Sequence, residues 1–132
     1  MNTLLTSAKI VMGAICTLVT FIWGGFDAVF VIFLCLMTID YVTGVLSAIK
    51  TKTLSSETGF LGLLKKVGML SIVALAHFIG DYSGIPDVRS LVIGFYIANE
   101  GISILENTAS LGVPMPEKLV AILKQLGKGD KD

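Results

Sequence analysis

Charge is what this chain has least of. Asp, Glu, Lys and Arg make up 15% of its 132 residues, against roughly a quarter in soluble domains. Acids and bases cancel to a formal net charge of zero, so no bulk field draws the chain to nucleic acid, and none is expected as a partner. Histidine occurs once and cysteine twice. Cys16 and Cys35 both lie in apolar runs, which suits small packing residues better than a disulfide or a metal pair. No nucleophile-base motif, Cys/His metal spacing or phosphate-binding glycine loop is present. The chain therefore reads as neither an enzyme nor a cofactor or metal carrier.

What fills the space is hydrophobic: 54% of the residues, with a mean hydropathy of +0.84. This composition points to an all-α integral membrane protein of one domain. Four membrane helices are expected at about 5–26, 28–49, 59–80 and 90–107, making a membrane domain over 1–110. The third or the fourth is open to an interfacial placement. A short C-terminal amphipathic helix and a charged tail, 111–132, are expected on the cytoplasmic side. The first apolar run follows Lys9 without a small-x-small cleavage site, so it reads as a retained helix rather than a secretory signal. Gly24, Gly25 and Asp27 suggest a tight hairpin between the first two helices, with Asp27 at its tip. The third apolar run is short. It spans only if it begins near Gly59, with Lys65 and Lys66 close to an interface or a pore.

The informative residues are the polar ones inside these runs. Asp40 sits within an otherwise uncharged second helix that holds twelve Leu, Ile, Val or Phe. A mid-span charge costs roughly 2.5–3.5 kcal/mol on insertion scales. Each of those apolar residues returns about 0.3–0.6 kcal/mol. The helix can insert, but Asp40 must face protein or water. Thr43 and Ser47 share its side, and Gly44 with Ala48 forms a small-xxx-small pair that lets another helix approach. On the fourth helix, Tyr96, Asn99, Glu100, Ser103, Glu106 and Asn107 recur at three- and four-residue steps as one polar stripe. Asp40, Thr43, Gly44, Ser47, Asn99, Glu100, Ser103 and Glu106 are thus the candidate pore-lining or assembly residues. Lys65, Lys66, His77 and Asp81 are secondary candidates. His77 and Asp81 stand at i and i+4, which a helix-end hydrogen bond explains. The main polar set has two readings that remain open: hydrogen bonding within one bundle, or a hydrated path or assembly face.

Lysine and arginine set the orientation. Lys9, the four lysines from Lys50 to Lys66 and those of the C-terminal segment fall on one side of a four-span arrangement. Only Arg89 falls on the other, beside Asp27, Asp81 and Asp87. Both termini are then cytoplasmic.

Three blocks carry a family resemblance: Asp40-Tyr41-Val42-Thr43-Gly44-Val45-Leu46-Ser47-Ala48-Ile49-Lys50, Gly59-Phe60-Leu61-Gly62-Leu63-Leu64-Lys65-Lys66-Val67, and Glu100-Gly101-Ile102-Ser103-Ile104-Leu105-Glu106-Asn107 with the following Gly112-Val113-Pro114-Met115-Pro116-Glu117-Lys118-Leu119. Together they resemble phage holins of the toxin-secretion/phage-lysis type, over roughly Ala28 to Leu126. The resemblance implies a small multi-pass protein of the bacterial cytoplasmic membrane. It would accumulate, form a homo-oligomer and open a lesion through which an endolysin or a large toxin leaves. Its partners would be the bilayer, other copies of itself and that cargo. Two other readings of the residues stand beside it: a small proton-coupled exporter using Asp40 or Glu100, and a non-pore holin antagonist or membrane anchor.

Overall fold

The computed structural model describes residues 1–128. The charged tail expected beyond residue 128 lies outside that range. Every regular element among the described residues is a helix: α1 (Asn2–Trp23), α2 (Ala28–Lys50), α3 (Ser56–Ser83), α4 (Val88–Ser110) and α5 (Glu117–Lys128). The protein is an all-α membrane protein, and α1 to α4 are each long and apolar enough to span a bilayer.

The helix ends follow local chemistry. Asp27 caps α2 by accepting the Phe30 N–H at 3.3 Å, and Ser55 caps α3 by accepting the Thr58 N–H at 3.1 Å. Gly24 closes α1 in the left-handed region at φ 89°, where a side chain is strained. The third helix begins earlier than expected, at Ser56. The stretch 59–66, with Lys65 and Lys66, belongs to the first half of one continuous 28-residue helix.

The centre of the molecule is the pair α2 and α4, which run parallel. Phe33 stacks on Tyr96 with ring centroids 5.9 Å apart, and Ser47 meets Ser110 at 2.7 Å. The register is constant along the pair. α3 runs antiparallel against both. The buried apolar core joins Phe30, Phe33 and Met37 of α2 to Val73 of α3 and Ile93 of α4. It lies towards the α1–α2 turn and leaves the other half of the interior to polar groups.

The expected hairpin of the first two helices does not form. α1 shares a turn with α2 but leans on α3, through Phe21 on Phe78 at 5.7 Å and the Trp23 indole N–H donating to the Leu70 carbonyl at 2.9 Å. Trp23 is the reason: its indole finds a partner on α3, and stacking on Phe30 fixes its plane. No residue of α1 is buried.

α5 folds back along α4 instead of standing apart from the bundle. A Cβ built on Gly101 would lie 3.0 Å from both methyls of Leu123, and one built on Gly127 would lie 3.6 Å from the Ala98 Cβ. The absence of a side chain at Gly101 is what admits Leu123.

Candidate functional site

Beneath the aromatic core, three spans each contribute one ionisable side chain at a common level. The Lys66 ammonium of α3 donates to Asp40 Oδ2 of α2 at 2.7 Å and to Glu100 Oε2 of α4 at 2.7 Å. Their side chains keep only 15%, 14% and 8% of their surface exposed, for Lys66, Asp40 and Glu100 in that order. The arrangement follows from depth: each residue falls near the middle of its span, where water is absent and an isolated charge is costly. One ammonium gives both carboxyls a hydrogen-bond donor, and its single charge balances one of them.

The polar interior continues towards the α2–α3 loop. The Asn107 amide donates to the Asp40 side chain at 3.0 Å, to the Asp40 carbonyl at 3.2 Å and to the Thr43 hydroxyl at 3.1 Å. Thr43 in turn donates to the Ile39 carbonyl at 2.8 Å. Gly44 lies beside this amide: a Cβ there would stand 3.5 Å from the Asn107 nitrogen, in ordinary van der Waals contact. Next come the Ser47–Ser110 pair and Lys50, which donates to the Ser110 carbonyl at 3.0 Å. A column of polar groups thus runs from mid-span to the end of the α2–α4 pair.

The candidate residues of the sequence divide on this geometry. Asp40, Thr43, Gly44, Ser47 and Glu100 line the column, and Ser103 is half-buried. Asn99 and Glu106 are exposed. The single polar stripe of the fourth helix is therefore two rows. Glu100 and Asn107 face inward, while Asn99 and Glu106 face outward; each pair is seven residues apart and so nearly in line. Lys65 is exposed and Lys66 turned inward, because successive helical residues point about 100° apart. Lys66, paired inside the bundle, leaves the orientation argument. Lys9, Lys50 and Lys52 still lie opposite Arg89. His77 Nε2 stands 3.7 Å from Asp81 Oδ2, outside hydrogen-bond range. Asn107 and the pairing role of Lys66 escaped the sequence reading. Asn107 belonged to the stripe, but nothing in the sequence marked it, rather than Asn99, as the amide that meets Asp40.

A second polar cluster closes the opposite end. The Arg89 guanidinium donates to Asp27 at 2.8 and 2.9 Å and to the Gly25 carbonyl at 3.2 Å. It also donates to the Trp23 carbonyl and lies 5.6 Å from the centre of the Phe30 ring. A Cβ on Gly24 would fall 2.8 Å from Arg89 Nε, so glycine serves both the backbone and this side chain. The hydrogen bonds from Arg89 hold the Asp27 carboxyl below its ordinary pKa, partial burial opposes them, and the Phe30 N–H adds to the lowering. The sequence placed Asp27 and Arg89 on one side but did not pair them.

No group of His, Cys, Asp or Glu among the described residues is arranged to hold a metal ion. The site offers charge and hydrogen bonding inside an apolar helix bundle.

Comparison with known proteins agrees with this architecture. The family model described as "Bacteriophage holin family" matches residues 17–128. The chain is 46% identical over 113 residues to the 14.9 kDa protein in the nagH 3' region of Clostridium perfringens, covering 83% of this chain and 85% of that one. It is 40% identical over 100 residues to Lmo0128 of Listeria monocytogenes, covering 75% and 71%, and 35% identical over 107 residues to YtkC of Bacillus subtilis, covering 80% of each. No solved structure matches it. Four spans, a polar interior and a family match over most of the sequence lead to one assignment: the chain belongs to the bacteriophage holin family.

Proposed function

We propose that the protein is a working holin: it accumulates in the bacterial cytoplasmic membrane, self-assembles and opens a lesion. The observation that carries this reading is the polar column from the Asp40–Lys66–Glu100 cluster to Ser47 and Ser110. In the single chain these groups satisfy one another. In a ring, rotation or separation of α2, α3 and α4 would turn the same column towards a shared lumen, where water replaces the internal partners. One copy of four spans is too narrow to enclose such a lumen, so opening depends steeply on density. The membrane potential biases the change, since a unit charge crossing 100 mV is worth about 2.3 kcal/mol. The released cargo would be an endolysin or a large toxin. With Lys9, Lys50 and Lys52 on one side, the amino terminus and the α2–α3 loop would be cytoplasmic; α5 turns back along α4 to the level of Ala98, so the side of the C-terminal segment does not follow from that count.

The test is induction of the protein alone in a bacterium, with membrane potential and leakage of a cytoplasmic enzyme followed together. Collapse of potential with leakage at a threshold level is expected. Sustained potential at high expression refutes the reading.

One observation favours a second reading. Asp40 and Glu100 come together at mid-span around a single lysine, and a proton-coupled exporter would carry its proton on such a carboxyl pair. Substrate-coupled proton flux in liposomes without leakage of a trapped marker would support it over the holin reading.

A further inference from the structure

α4 is a membrane span with a polar row on its outside. Asn99 and Glu106 are exposed and lie nearly in line, seven residues apart. Asn99 is at the centre of the helix. Lipid supplies no hydrogen-bond partner at that depth, so this row calls for protein.

α5 carries a matching row. Its half-buried face, with Val120, Leu123 and Gly127, meets α4, while Lys118 and Gln125 are exposed. Helical geometry puts these two on the side opposite Leu123. They are also seven residues apart. Neither Glu106 nor Lys118 belongs to an ion pair among the described residues.

The register makes the match specific. Leu123 sits opposite Gly101 and Gly127 near Ala98, so α5 runs antiparallel along α4. Continued along both helices, that register sets Lys118 level with Glu106 and Gln125 level with Asn99. Within one chain Asn99 borders its own α5, its Oδ1 lying 4.0 Å from where a Cβ on Gly127 would stand, whereas Glu106 and Lys118 do not pair. Copies inserted in the same orientation keep the same depths. Placing the outer face of α5 from one copy against the outer face of α4 from the next brings a lysine to a glutamate and an amide to an amide at once.

The geometry points to this as the contact between neighbouring copies: a head-to-tail interface in which the Asn99–Glu106 row of α4 receives the Lys118–Gln125 row of a second copy's α5. Such an interface is heterologous, and its repetition gives a ring where the rotation between copies closes and an open array where it does not. The inference rests on the self-assembly part of the proposed function and adds which surfaces meet. It separates the roles of the two rows of α4: the inward row belongs to the column and the outward row to the neighbour.

The experiment uses the full chain with Cys16→Ser and Cys35→Ser, expressed in bacterial membranes as two differently tagged copies. One copy carries Glu106→Cys, the other Lys118→Cys. Mild oxidation should give a disulfide-linked heterodimer from the mixture and no dimer from either copy alone. In parallel, Glu106→Lys and Lys118→Glu should each lower the yield of chemically cross-linked oligomer several-fold, and the double exchange should restore it. A Glu106→Cys homodimer would overturn the proposal in favour of an α4–α4 contact. Absence of the mixed product, while the unaltered chain still cross-links into large oligomers, overturns the interface and leaves self-assembly standing. An unaltered chain that stays monomeric at high membrane density overturns both.

Discussion

At the scale of single residues, the Lys66 cluster separates folding from function. Removing one member of a buried ion group leaves the rest uncompensated, whereas replacing the whole group by apolar side chains is often neutral or stabilising. Lys66→Met should therefore destabilise the detergent-solubilised protein by about 3–5 kcal/mol, read as a lower midpoint of thermal unfolding. The triple change Asp40→Leu, Lys66→Met, Glu100→Leu should regain most of that loss. If the column serves a lumen, the triple variant folds yet fails to release a cytoplasmic marker. At the other end, Asp27 has a lowered pKa through Arg89. Its contribution to stability is present above the unfolded carboxylate value of about 3.9 and disappears as pH falls through the lower folded value. The effect is small, because the Asp27 side chain is 53% exposed. Comparing unfolding midpoints from neutral pH to about pH 3 in the protein and in Asp27→Asn checks it: the variant should lose less stability on acidification.

At the scale of elements, the spans were legible in the sequence because hydropathy survives any packing. What hydropathy cannot carry is rotation about the helix axis and choice of neighbour. Asp40 announced its need for a partner through its cost in lipid. The partner, Lys66, did not announce itself, since it stands beside an exposed lysine and only a turn of about 100° distinguishes them. The stripe on α4 joined residues stepwise by three and four, a rule that creeps around a helix and so merged Glu100 with Glu106. The parallel pairing of α2 with α4 was also hidden, because short connections suggest antiparallel neighbours. α5 offers an element-scale test. Gly101→Leu places a branched side chain where Leu123 now packs, and should lift α5 from α4 while the ion cluster holds α2, α3 and α4 together. Backbone amide exchange should accelerate throughout α5 and stay slow around Phe33, Val73 and Ile93.

At the scale of the whole molecule, the three inner spans are unequal. α2 and α4 have 23 residues each and α3 has 28. At about 1.5 Å per residue, α3 is some 42 Å long and its neighbours some 35 Å, while the hydrocarbon layer is about 30 Å thick. α2 and α4 fit with slight tilt, but α3 must lean further or carry its first turns into the headgroups. The Lys66 ion pairs fix where along α3 that lean is pinned. Bilayer thickness thereby becomes a mechanical input to the bundle: a thicker membrane draws α3 upright and pulls its lysine along the axis of the two carboxyls, and a thinner one tips it away. Under the proposed lesion-forming function, membranes of different acyl-chain length would set different opening thresholds for the same protein at the same density.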